Sequence, residues 1–75
     1  MGKKLKDMEY GNKAVIREID DELKGKLAGM GIRVGKELIF KTKQPIDGPV
    51  VVEVNGSTTS MGIGMAGKIT VEVID

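Results

Sequence analysis

The sequence predicts a mainly β fold: a small, strongly bent antiparallel barrel of about five short strands with one short α-helix, forming a single domain over residues 1–75. Three observations lead there. Val50, Val52 and Val54 alternate and run into Asn55-Gly56, the dipeptide best suited to a type I′ hairpin turn because both central residues need positive φ. Leu23, Leu27 and Met30 recur at i, i+4 and i+7, one face of a helix. The other apolar residues fall in short alternating runs separated by turn residues, as in a small barrel that leaves few exposed edges.

In chain order, residues 1–9 read as a lead-in anchored by Leu5 and Met8, and Tyr10-Gly11-Asn12 reads as a turn. Lys13 to Ile19 is the first strand, with Ala14 and Ile16 on one face and a wetter stretch at Arg17 and Glu18. The helix follows. Asp20 or Asp21 is placed to cap it, Glu22 adds negative charge to its first turn, and Lys24 and Lys26 come after, an order that suits the helix dipole. Gly31 is placed to end it in a left-handed conformation, with Ile32 meeting Leu27 in a Schellman ending. Gly25 and Gly29 each weaken this helix by about 1 kcal/mol relative to alanine, so packing must hold it. After a Val34-Gly35-Lys36 turn, Glu37 to Lys43 is the second strand, with Leu38 and Phe40 on one face. Gln44 to Pro49 is a loop, Val50 to Val54 a strand, and Ser57 to Met61 its hairpin partner. Gly62 to Gly67 is a loop or one helical turn, and Lys68 to Ile74 closes the chain with Ile69, Val71 and Val73 facing inward.

Composition excludes several functions. The 75 residues include no cysteine and no histidine, which removes disulfides, thiolate metal sites and the commonest general base. The hydroxyls of Ser57, Thr58, Thr59 and Ser60 have no histidine to activate them, so the chain reads as non-enzymatic and in need of no cofactor. A net charge of +1 gives no strong pull toward nucleic acid or anionic lipid. Lysines at 3, 4, 6, 24, 26, 41 and 43 lack the aromatic platforms a nucleic-acid binder would add, since Tyr10 and Phe40 are the only aromatics and Phe40 alternates into the core. The basic start is not followed by an apolar segment of signal-peptide length, and no apolar run spans a bilayer. Lys6 stands where a myristoylation start requires Ser or Thr. The expected location is the cytoplasm, without membrane insertion, and the expected state a monomer or weak homodimer.

Gly62-Ile63-Gly64-Met65-Ala66-Gly67 matches G-x-G-x-x-G literally. A dinucleotide site needs a βαβ unit around that run and an acid downstream, whereas here a Val/Ile strand follows at once; a tight connection between strands fits better. Asp20, Asp21 and Glu22, with Glu18 nearby, are the acidic cluster, able to hold a hard cation weakly through oxygen, but helix-start charges account for the same residues. Among the five methionines, Met30 and Met61 read as core, and Met65 beside Ile63 reads as part of an exposed apolar patch.

The order of these elements resembles the ferrous-iron transport protein A (FeoA) family. The likeness begins at Gly11 to Ile16 and is strongest over Leu27-Ala28-Gly29-Met30-Gly31-Ile32-Arg33-Val34-Gly35, similar to the family's Leu, two residues, Leu/Met, Gly, Leu/Ile, two residues, Gly pattern. It continues through the Pro45–Pro49 loop and Val50–Val54 to Gly56, Met61, Ala66 and Ile69-Thr70-Val71. The family often carries a basic residue just after the position of Met61, where this chain has Gly62.

The resemblance implies an SH3-like barrel acting as a cytosolic accessory of ferrous-iron uptake, with the GTP-binding cytoplasmic part of the membrane iron transporter as its partner. The alternative it implies is a weak oxygen-ligand metal-binding or metal-sensing domain, like the SH3-like domain of iron-dependent repressors, with Asp20, Asp21 and Glu22 as candidates. For partner contact, the residues least needed inside the barrel are Ile46, between two prolines, and Ile63 and Met65 in the glycine loop, with Lys24 and Lys26 as charged neighbours.

Overall fold

The computed structural model describes residues 2–42 and 48–75. Its elements are β1 (Lys3–Lys4), a 3-10 turn (Leu5–Asp7), β2 (Lys13–Ile19), α1 (Asp21–Gly29), β3 (Glu37–Phe40), β4 (Val50–Val54), β5 (Ser57–Met61), α2 (Ile63–Ala66) and β6 (Ile69–Val73). The strands form one antiparallel sheet in the order β1-β6-β2-β3-β4-β5. It curves around a single core of Leu5, Met8, Ala14, Ile16, Leu27, Ile32, Leu38, Phe40, Val50, Val52, Val54 and their neighbours.

Alternation builds most of this core. Val50, Val52 and Val54 are buried while Val51 and Glu53 are half-buried, and Asn55 and Gly56 turn the chain with φ of 54° and 80°. Their cross-strand partners on β5 are Met61, Thr59 and Ser57, of which only Met61 is buried, so β5 contributes backbone pairing more than core. In β2, strict alternation would turn Ile19 outward. The β2–β6 register shifts between Ile16 and Glu18, and the extra residue turns Ile19 back inward opposite Ile69. Arg17, left outside at this bulge, pairs with Glu72 of β6 at 2.8 Å.

Three details depart from the sequence-based expectation. A sixth strand, β1, pairs Lys3 and Lys4 with Val71 and Thr70. Its contribution is backbone pairing, so no apolar alternation announces it. The chain then makes a 3-10 turn that drops Leu5 and Met8 into the core. The strand expected over Glu37–Lys43 is regular only to Phe40. Lys41 N–H still donates to Val51 C=O at 2.8 Å, and the Thr42 hydroxyl then replaces the ladder, accepting from Val51 N–H at 2.7 Å. Lys43 and Ile46 lie outside the described residues. Of the alternatives for Gly62–Gly67, the single helical turn is the one formed, as α2.

Candidate interaction surface

Helix α1 is held to the core by its C-terminal end and one face. Gly31 has φ +82°, its N–H donates to Ala28 C=O at 3.0 Å, and Ile32 N–H donates to Leu27 C=O at 2.9 Å. This is the full Schellman pair of bonds. Leu27 and Ile32 are fully buried, and Leu23 and Met30 pack against the core from half-buried positions. Gly35, with φ +94°, then turns the chain into β3, its N–H donating to Ile16 C=O at 2.8 Å.

The start of α1 differs from the expected side-chain cap. Asp20 occupies the capping position, but its carboxylate bonds no N–H there; its own C=O accepts from Leu23 N–H at 2.9 Å. The acidic run is spent on ion pairs. Asp21 meets Lys24 at 3.1 Å, and Glu22 accepts a hydrogen bond from the Lys68 ammonium. Among the described residues, no three acidic side chains come together closely enough to hold a metal ion. The Lys68 C=O also accepts from Asp20 N–H at 3.2 Å, which sets the first turn of α1 beside the end of α2.

The Lys68 hydrogen bond and charge hold the Glu22 carboxyl below its ordinary pKa, and Glu22 likewise raises that of Lys68. A depressed acid stabilises the fold above its unfolded pKa, and that contribution is lost as pH falls through the folded value. A raised base stabilises below its unfolded pKa and loses the contribution as pH rises through the folded value. The pair is exposed and screened by solvent, so the effect is small. Glu22→Gln should melt slightly below the parent at neutral pH, with the gap closing in acid, closing again in strong base and shrinking with added salt. Thermal melts across pH check this; a gap that persists in acid assigns the effect elsewhere.

The contact residues expected from the sequence differ in burial. Ile63 opens α2 and is half-buried, and Met65, also half-buried, packs against the core. Lys24 and Lys26 are exposed on α1. The G-x-G-x-x-G run contains only the four helical residues of α2 before β6 begins, too little helix to seat a dinucleotide pyrophosphate. Sequence reasoning missed a groove of about 280 Å³ between α1 and the segment leaving it, lined by Ile19, Lys24, Ala28, Ile32, Arg33 and Val34. Its available signal was Val34, a β-branched residue placed beside a turn glycine, which stands 54% exposed.

A family model, the FeoA domain, matches residues 3–73, from β1 to the end of β6. The chain belongs to the FeoA domain family. This makes it a small accessory domain associated with ferrous-iron transport. Its backbone is similar to the crystal structure of an iron uptake regulatory protein (FeoA), with TM-score 0.88 and 28% identity over 99% of this chain and 100% of that one. An FeoA-like protein from Clostridium acetobutylicum is similar at TM-score 0.84 and 28% identity, over 99% of this chain and 88% of that one. A manganese-dependent transcriptional repressor contains the same SH3-like fold at TM-score 0.86 and 20% identity, over 97% of this chain and 42% of the repressor. No curated protein sequence matches the chain. In this FeoA domain the residue after Met61 is Gly62, which leads into α2 in an extended conformation and carries no charge toward a partner. Among the described residues, no helix is long and apolar enough to cross a membrane.

Proposed function

We propose that this FeoA domain is a non-catalytic cytoplasmic accessory of ferrous-iron uptake that binds the GTP-binding cytoplasmic part of the membrane iron transporter. The observation that carries the reading is the family match across the whole barrel. The chemistry agrees with it. The chain has no histidine or cysteine, and the hydroxyls of β5 lie along a strand with no base among them. Such a domain works by presenting a surface. The surface proposed here uses Ile63 and Met65 of α2, with Lys24 and Lys26 of α1 as charged neighbours, since the Lys68 contacts bring the start of α1 to the end of α2.

Isotope-labelled protein titrated with the transporter's cytoplasmic domain, with and without guanine nucleotide, should show amide shifts on α2 and the start of α1. Absence of shifts in both nucleotide states would overturn the reading. Ile63→Ser should weaken this binding and leave the melting temperature nearly unchanged, because Ile63 is already partly in water. A large fall in melting temperature would return Ile63 to the core and remove α2 from the surface.

A further inference from the structure

The groove beside α1 carries apolar surface that the fold leaves uncovered. Ile19 and Ile32 are buried beneath it, so the aliphatic surface it leaves open to water is that of the half-buried Ala28 and the exposed Val34. Ala28 keeps the groove open: it stands one position after the buried Leu27, on the side of α1 toward Arg33 and Val34, and a longer side chain there would fill the space. Val34 extends the apolar surface at the rim.

The charges around the groove say what fits it. Lys24 and Arg33 both line it. Five basic side chains face a carboxylate elsewhere, Lys6 with Asp7, Lys13 with Glu37, Arg17 with Glu72, Lys41 with Glu53 and Lys68 with Glu22, whereas Lys3, Lys4, Lys26 and Lys36, none of them lining the groove, face none among the described residues. Lys24 shares an exposed contact with Asp21 that contributes little and exchanges readily. Arg33 has no carboxylate partner among the described residues. Its planar guanidinium suits bidentate recognition of a carboxylate. The neighbouring depression, which shares Ile19 and Lys24 with the groove but not Arg33, is lined by Glu18, Asp20 and Asp21, which repel an incoming acid. The field therefore has a direction, with the carboxylate end of a ligand favoured at Arg33 and disfavoured at that depression.

We infer that this groove receives a short segment of a partner protein, seating an aliphatic side chain against Ala28 and Val34 and placing an adjacent Asp or Glu carboxylate on Arg33. The inference does not depend on the transporter being that partner, because the site is defined by peptide chemistry and shares only Lys24 with the surface proposed above.

The test uses the blocked peptides acetyl-Leu-Ile-Glu-amide, acetyl-Leu-Ile-Lys-amide and acetyl-Ser-Ser-Glu-amide, titrated into the labelled protein. The first should shift the amides of Ala28, Ile32, Arg33 and Val34. The lysine peptide should bind at least about tenfold more weakly, as should the first peptide to Arg33→Ala, since a charge-assisted hydrogen bond is worth roughly that factor or more, and the serine peptide should bind about tenfold more weakly or worse because it loses the aliphatic burial. Ala28→Leu, a substitution a helix accepts, should keep the melting temperature and lose the peptide shifts. Equal affinity for the glutamate and lysine peptides, shifts that survive Ala28→Leu, or no shifts at saturating peptide would each overturn the inference. Shifts at the same amides on raising protein concentration without peptide would overturn it too, by assigning the groove to a second copy of the chain. A failure here leaves the transporter titration free to succeed through α2, so the two readings fail separately.

Discussion

Phe40→Ala should remove most of the stability of this domain. Phe40 is the single phenylalanine of the chain, has no exposed surface and is paired across the sheet with the buried Val52. Its backbone holds the β2 side as well: its N–H donates to Asn12 C=O and its C=O accepts from Gly11 N–H, both at 2.8 Å. The substitution leaves these bonds and empties the middle of the core. Truncating a buried phenylalanine costs about 3–5 kcal/mol. A chain of 75 residues has in total about 4–11 kcal/mol at ordinary stability per residue. A loss of that size lowers the melting temperature by roughly 12–40 °C at the 4–8 °C per kcal/mol typical of small domains. Phe40→Leu, which keeps most of the volume, should cost far less. Thermal and denaturant unfolding followed by far-UV circular dichroism measure both. An alanine variant melting within a few degrees of the parent would mean that the core refills the space, and that Phe40 does not hold the two sides of the barrel together.

The parts of this fold that are legible in the sequence are those fixed by neighbours along the chain. The β4–β5 hairpin follows from Val50, Val52 and Val54 and from two turn residues that tolerate positive φ, and the end of α1 follows from a glycine flanked by Leu27 and Ile32. The illegible parts depend on distant partners. Lys3 and Lys4 become a strand because Thr70 and Val71 offer backbone groups to them. The bulge at Arg17 exists because β6 supplies Glu72 and Val71 on one side of it and Thr70 on the other. The alternation of β2 alone therefore misplaces Ile19.

The surface follows the same logic. Ile63 and Met65 attract attention in the sequence because they stand among glycines, and the structure gives both intermediate burial. The groove draws Ile19 from a strand, Ala28 from a helix and Val34 from the turn that follows, and no local pattern joins the three. Asp20, Asp21 and Glu22 are contiguous in sequence, yet the fold sends Asp21 to Lys24 and Glu22 to Lys68, so adjacency along the chain does not become a shared site. Lys68 is the residue that decides this, and it stands 46 positions from Glu22.

Gly31→Val should carry the second large effect, and its control lies two residues upstream. A Cβ added at either Gly29 or Gly31 would meet nothing within 4 Å, so space distinguishes neither site. Backbone conformation does. Gly31 has φ +82° and Gly29 lies in the helix. A side chain in the left-handed region costs about 1–2 kcal/mol, and β-branching raises that, so Gly31→Val should cost about 2–3 kcal/mol. Relief of the strain would break the bonds from Gly31 to Ala28 and from Ile32 to Leu27, and would pull Ile32 out of the core. Gly29→Ala should instead be neutral or stabilise the domain by up to about 1 kcal/mol, because alanine restricts the unfolded chain and favours helix. Gly31→Asn, which tolerates positive φ, should fall between. Denaturant midpoints of the three variants give the ordering directly. If Gly31→Val and Gly29→Ala unfolded at the same midpoint, the left-handed ending would not be what holds α1 to the core, and the strongest element of the sequence likeness would lose its physical basis.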